Sequence, residues 1–474
     1  MVYDVIIIGS GLGGLETALL LSRAGLSVLV LERQVQPGGC MQSYRRGAFT
    51  HDTGLHYVGG LAEGQPLHDA FQRLGLLQLP WHRLDADGFD RVTIGDRTYC
   101  FAEGYDRFSD VMAGYFPDRR EALRQYVGVL RQTVTSTVDT THLMDVSAYR
   151  WLTDTFRDPL LVDVLSGAAM KTELCRESLP LFTFAHQQSS YIQSSWRLRG
   201  DGNLLVRCLT DQLTASGGQL LCRAEVTDIL VDGGLVSGVR LADGRQYQCR
   251  RLVSDVHPLH TFRMVRPEGT LRPLFLRRLS MLHDTVGFFT LSLVLRAGAL
   301  PYFNHNKYVY PDPCVWSLAE RATPTSVGGV MVSCRVPLAD GDPYTRQVDL
   351  ITPVPWSLWQ PWEHTLVGRR GAGYVAFKQQ LSEACLRLAE RAVPGLSAMV
   401  VEHHASSPLT YRDYTLTPCG SGFGLRKDCR QPVLTMLSPR TPIPNLLLTG
   451  QSLMLHGVEG VTMTALRTVD SLLQ

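Results

Sequence analysis

The apolar run Val5-Ile-Ile-Ile8 leads directly into Gly9-Ser-Gly11-Leu-Gly-Gly14, and a second run, Ser27-Val-Leu-Val-Leu31, ends on Glu32. This is the pattern of a strand, a glycine turn, a helix and a second strand with an acidic tip. A glycine turn alone says little in a chain with 43 glycines, and an ordinary strand–helix turn without a ligand is the plain alternative. Its place between strand and helix is what makes it informative. Gly9 permits the tight turn, Gly11 lets the backbone approach a pyrophosphate, and Gly14 lets the following helix, expected over Leu15–Ala24, pack close. The helix N-terminus then aims unpaired N–H groups and the positive end of its dipole at the phosphates. Glu32, 18 residues after Gly14, puts a carboxylate where it accepts from both ribose hydroxyls and repels a 2′-phosphate. A solvated carboxylate at a strand end is its bland reading.

The next segment separates the dinucleotides. Pro37-Gly-Gly-Cys40 follows Glu32 after four residues, ahead of Asp52-Thr-Gly-Leu-His-Tyr57. The pair Gly38 and Gly39 allows a second close backbone approach to the same ligand. An extended FAD needs wrapping along its length, whereas NAD needs only the first unit, so bound FAD is expected.

These residues resemble a known family. Gly9-x-Gly11-x-x-Gly14, Glu32, Gly38-Gly39-Cys40 and Asp52–Tyr57 are similar to FAD-dependent oxidoreductases of the phytoene desaturase, carotenoid isomerase and retinol saturase group. Trp196–Asn203, Leu409–Tyr414 with Gly420–Gly424, and Leu446–Gln451 with Leu455–Gly460 extend the resemblance over essentially the whole chain. Two departures favour the bacterial retinol saturase-like branch. Desaturases carry arginine where this chain has Cys40, and the C-terminal motif usually has aspartate where this chain has Gln451. The resemblance implies an α/β fold with a Rossmann-type FAD-binding domain of the glutathione reductase and amine oxidase type, and an inserted mixed substrate domain. It implies FAD contacts at Gly9, Gly11, Gly14, Glu32, Arg33, Gly38, Gly39, Val226, Gly450, Gln451, Glu459, Gly460 and Val461. An amine oxidase shares this fold, but Cys40 speaks against one.

Length supports more than one unit, since 474 residues exceed the usual single-core limit. The FAD domain is expected to be discontinuous, from residues 1–75, 196–265 and 436–474, with the substrate domain formed by 76–195 and 266–435. Helices are expected over Arg119–Thr135, Asp158–Met170, Asn203–Ala215 and Tyr374–Ala392, and from about Val458 to the end. A hairpin is expected around Asp232-Gly-Gly234. Pro353–Trp362 holds three of the seven tryptophans. It reads as core packing after a strand, with an apolar lip for lipid as the alternative.

Composition bounds the partners. The net charge is +2, with 45% hydrophobic and 19% charged residues, which argues against nucleic acid. The eleven cysteines include no C-x-x-C pair and read as reduced, mostly buried thiols of a cytoplasmic protein. No metal site is expected. No run of 18 apolar residues occurs, so peripheral membrane contact rests on substrate class alone. Oligomeric state is not legible.

The chemistry follows from what a polyene lacks. It has no carbonyl to polarise, so reducing it calls for a proton as well as a hydride from flavin N5. A positioned acid and a deep apolar tunnel are therefore expected. The candidate acids are His56, Tyr57, His456 and Glu459; His56 and His456 each have a purely structural alternative, and Glu459 reads rather as holding the ribityl chain or capping the last helix. Tyr411 and Arg412 read as structural partners of Asp413. The expected activity is saturation of a carbon–carbon double bond in a carotenoid, retinoid or other isoprenoid lipid. Desaturation or isomerisation by the same site is the enzymatic alternative, and a non-catalytic prenyl-lipid carrier the alternative from another class. No second strand–glycine–helix unit is visible, so NAD(P)H enters only as a transient donor, or a partner protein supplies electrons.

Overall fold

A computed structural model of the chain describes residues 2–135, 138–168 and 170–474. The strand Val2–Ile8 buries Val5 to Ile8 on both faces, which is why its apolar run is continuous rather than alternating. It pairs in parallel with Val28–Leu31 on one side and Gln246–Ser254 on the other. Between the first two strands the helix Leu12–Arg23 starts three residues earlier than expected, because Gly11 is its N-cap and Gly13 and Gly14 lie in its first turn. Ala18 and Leu21 bury the helix against the sheet, while Leu15 and Leu19 face the helices Pro66–Leu74 and Gly202–Ala215, each fully buried leucine stabilising by roughly 1.5–3 kcal/mol.

The first sheet is assembled from distant parts of the chain. Its spatial order is Gln219–Leu221, Val28–Leu31, Val2–Ile8, Gln246–Ser254, Leu235–Leu241, Val226–Asp232 and Val265–Arg266. The strand Gln246–Ser254 has two jobs. Its first half pairs antiparallel with Leu235–Leu241, and its last three residues pair in parallel with Leu446–Leu448. The hairpin between Val226–Asp232 and Leu235–Leu241 turns at Gly233 and Gly234, both at positive φ, as the Asp-Gly-Gly signal requires. The helix Gly457–Leu473 closes the unit by packing on Leu12–Arg23. Three strands, ending at Ile8, Ser254 and Leu448, therefore present their C-terminal ends together, where open parallel sheets bind ligands.

The second sheet has seven strands, in the order Val400–Ser406, Gly287–Leu295, Gln347–Val354, Val330–Cys334, Asn306–Tyr310, Asp90–Ile94 and Arg97–Phe101. Its side chains alternate between two cores. Tyr308, Tyr310, Met331 and Ile351 face a helical layer containing Leu181–Gln193, whereas Val309, Val330, Val332 and Leu350 face the helix Gly371–Ala389. Trp359 is fully buried in the latter core against Phe289, Tyr374 and Phe377, with Trp356 and Trp362 packed beside it. The tryptophan-rich segment is core, not lip.

Local expectations fall within a few residues of the observed elements. The helices are Arg120–Val134, Pro159–Gly167, Gly202–Ala215 and Gly371–Ala389. The second ends before Met170, and residue 169 inside its expected span lies outside the described residues. The expectation of mostly buried cysteines needs correction. All eleven are free, but only Cys249, Cys334, Cys385 and Cys429 are buried, while Cys314 and Cys419 are exposed. Among the described residues no helix is long and apolar enough to cross a membrane.

A buried ionic cluster joins the Asp-Thr-Gly turn to the second sheet. Arg335 contacts Asp52 at 2.7 Å and Asp349 at 3.4 Å. Asp52 also accepts from Ser43 Oγ at 2.8 Å and from the Gly202 amide at 2.7 Å. Asp52 thus anchors the Asp-Thr-Gly turn that carries His56 and Tyr57.

Candidate active site

One cavity of about 570 Å³ runs from the glycine turn to the helical face of the second sheet. This lies within the range of ligand sites, roughly 300–1,000 Å³. At the sheet end its walls are backbone. A Cβ on Gly11 would lie 2.4 Å from Asp255 Oδ2, one on Gly39 would lie 3.1 Å from the Gly11 Cα, and one on Gly450 would lie 2.3 Å from Asp255 Oδ1. The Gly38 amide donates to the Ser10 carbonyl at 3.0 Å, which lashes the second glycine pair to the first turn. A side chain at Gly11 or Gly450 would have to push the Asp255 carboxyl aside, and Gly39 and Gly450 both sit at positive φ, so backbone lines the cavity at the helix N-terminus, where diphosphates bind.

Glu32 lines the cavity with its carboxylate already oriented. Its Oε2 accepts from the Ser10 amide at 3.0 Å and Ser10 Oγ at 2.6 Å, and its Oε1 accepts from the Gln34 amide at 2.8 Å. With a single bond at Oε1, that oxygen keeps acceptor capacity for a ligand hydroxyl. Arg33, Val226, Gln451 and Val461 also line the cavity, Arg33 lying 4.0 Å from Glu225. Cys40 faces it as a neutral thiol, pushed up to about 11 by burial and then by Asp255. These residues fit the ADP portion of a dinucleotide.

Farther in, the lining becomes apolar: Phe288, Met331, Ile351 and Phe423, together with Met170. His56 and Tyr57 line the cavity as well. Burial lowers the His56 pKa and holds Tyr57 far above the usual phenol range. The Tyr57 hydroxyl donates to Asp90 Oδ2 at 2.9 Å and lies 2.6 Å from the Tyr308 hydroxyl. Lys171 completes the group, its Nζ 3.3 Å from Asp90 Oδ2 and 3.8 Å from the centre of the Tyr191 ring.

Other expected site residues stand behind the lining. His456 is buried against the Phe423 ring, with centroids 4.4 Å apart, and does not border the cavity. Its Nε2–H donates to the Lys171 carbonyl at 3.0 Å, and burial pushes its pKa down to about 3. This corrects the expectation of an acid there: a ring that resists protonation and has one nitrogen committed to a carbonyl is structural. Glu459 accepts from Ser190 Oγ and faces His186 Nε2 at 3.4 Å, so it turns toward the helical layer rather than the cavity. Although burial opposes charge on His186, the Glu459 carboxylate outweighs it and raises the His186 pKa. Gly460 packs under Leu455, Gly14 against the Gly9 carbonyl and Gly38 against Val206, all off the lining. Arg412 bonds Asp413 at 2.8 Å, whereas Tyr411 lines the cavity and donates to the Thr53 carbonyl at 2.9 Å rather than pairing with Asp413.

Residues 7–74 match the model of the NAD(P)-binding Rossmann-like domain family. Human all-trans-retinol 13,14-reductase is 25% identical, the alignment covering 99% of this chain and 85% of that one. A chloroplastic prolycopene isomerase of an Oncidium hybrid cultivar is 23% identical, over 95% of this chain and 80% of the other. The chain is a relative of this reductase and isomerase group along nearly all its length. Among solved structures, cyclohexylamine oxidase from Brevibacterium oxydans superposes with a TM-score of 0.64 at 16% identity, covering 100% of both chains. The fold is α/β, with a Rossmann-type sheet and a second, mixed sheet.

Reading the chain alone missed Asp90, Lys171, Tyr191 and Asp255. Asp255 was within reach: it follows the apolar Leu252-Val253, the end of a strand that the hairpin arithmetic implies. Lys171 carried only one signal, its rarity, as one of four lysines in the chain.

Proposed function

We propose that this protein is an FAD-dependent oxidoreductase that saturates carbon–carbon double bonds of a polyene or other isoprenoid lipid. The carrying observation is continuity: a dinucleotide-type cradle opens, without a dividing wall, into an apolar recess that holds titratable side chains. The backbone of Gly9, Gly11, Gly39 and Gly450 would hold the diphosphate, Glu32 the ribose and Val226 the adenine. When bound, the flavin supplies two-electron chemistry at N5. Phe288, Met331, Ile351 and Phe423 would bind the substrate chain and exclude water from it.

The names of the relatives support both reduction and isomerisation of a polyene. Reduction is preferred because the recess is lined by a lysine, Lys171, whose ammonium form can part with a proton, whereas isomerisation consumes none. Electrons come from outside the chain, with NAD(P)H as a transient donor in this reading. Substrate solubility brings peripheral contact with a membrane surface into the same proposal.

The test uses gently purified protein. Released flavin is identified as FAD, the holoenzyme is reduced anaerobically, and a series of polyenes is added. Products heavier by two hydrogens support saturation. Isomers of unchanged mass favour the second reading, and absence of flavin favours a carrier.

A further inference from the structure

The recess holds one cation the sequence reading did not assign. The Lys171 Nζ is buried and makes no well-formed hydrogen bond among the described residues, although it faces Asp90 at 3.3 Å. Its surroundings come from several elements. Asp90 belongs to Asp90–Ile94 and Tyr308 to Asn306–Tyr310, Tyr191 lies on Leu181–Gln193, His56 and Tyr57 end the Asp-Thr-Gly turn, and His456 precedes the last helix. Asp90 accepts from the Tyr57 hydroxyl at 2.9 Å and from Asn306 Nδ2 at 2.9 Å. Burial raises the Asp90 pKa against the pull of Lys171 and these two donors, and the Asp90 carboxyl in turn opposes the loss of charge that burial imposes on Lys171. His456 fixes the Lys171 backbone through the Lys171 carbonyl.

The competing acids are poorly loaded. Neutral His56 and a phenol held above its usual range release protons reluctantly. Burial brings Lys171 down to about 8, near the value at which a general acid works best.

We propose that Lys171 delivers the proton that completes double-bond reduction, an inference resting on the function proposed above. A hydride from the reduced flavin forms one new C–H bond, and the Lys171 ammonium gives its proton to the neighbouring carbon as the π bond breaks. The substrate gains two electrons and two hydrogens, the flavin loses two electrons, and Lys171 is left as a neutral amine. Water admitted when product leaves restores its proton.

Two measurements test this. In apoprotein carrying lysine labelled with ¹³C at Cε, four lysine signals are expected, and the one absent from Lys171→Met should titrate with a midpoint near 8. A midpoint at the ordinary lysine value of about 10.4 would overturn the proposal. In the reduced holoenzyme, Lys171→Met should lose roughly a hundredfold or more of polyene reduction. It should keep its flavin and its rate of oxidation by ferricyanide. Lys171→Arg retains charge without a releasable proton and should fail as well; recovery by arginine would make Lys171 a charge partner only. If wild type reduces the polyene and Lys171→Met matches it, this inference alone fails. If wild type reduces no polyene, the proposed function fails and takes the inference with it.

Discussion

Asp255 stands over Gly11 so closely that a Cβ on the glycine would lie 2.4 Å from its carboxylate. The turn that starts the first helix is therefore packed under the end of the third parallel strand. Burial, reinforced by Glu32 and opposed by the Gly14 and Gly11 amides, raises Asp255 to about 7. A bound diphosphate adds negative charge beside it and raises it further. FAD affinity should then be flat below pH 7 and fall above it, approaching about tenfold per pH unit as one proton must be taken up. Fluorescence titration of apoprotein with FAD at pH 6 and 8.5 checks this, and Asp255→Asn should abolish the slope. The same shift bears on stability. The folded apoprotein holds a proton that the unfolded chain has lost, so this group's contribution worsens between about pH 4 and 7.

Gly14 tests the turn itself. A Cβ there would lie 2.3 Å from the Gly9 carbonyl oxygen, a backbone atom that no rotamer change can move aside. Gly14→Ala should cost FAD binding by widening the turn, measured as flavin content after gel filtration.

Arg335 should prove structural. Arg335→Met leaves Asp52 and Asp349 buried without their cation, a cost of about 3–5 kcal/mol. Urea unfolding at neutral pH reads the loss. It should shrink as the pH falls and Asp52, whose pKa burial raises above the ordinary carboxylate value, becomes neutral.

Ile351 separates substrate from cofactor. It lines the apolar recess from the second sheet, whereas the glycine cradle belongs to the first. Ile351→Trp should leave FAD affinity unchanged and raise KM for long polyenes by tenfold or more, as steady-state kinetics would show.

What the sequence made legible was local. The glycine turn, Glu32 and the Gly233-Gly234 hairpin each declare themselves within a few residues. The recess does not, because its wall is built from side chains brought together by strand pairing. Asp90 meets Tyr308 and Asn306 only because Asp90–Ile94 joins Asn306–Tyr310 in parallel. His456 and Glu459 show the converse. Their place near the last helix was readable, but which way each side chain turns depends on partners from elsewhere in the fold, Lys171 for one and Ser190 with His186 for the other.

The central claim is that the cradle and the recess serve one reaction. Anaerobic stopped-flow mixing of reduced holoenzyme with a polyene, followed at both the polyene and flavin bands, tests it most directly. The account predicts that the polyene bleaches and oxidised flavin returns with the same rate constant, one flavin per double bond. Flavin that stays reduced while the polyene spectrum persists, or shifts without loss of a double bond, would contradict it.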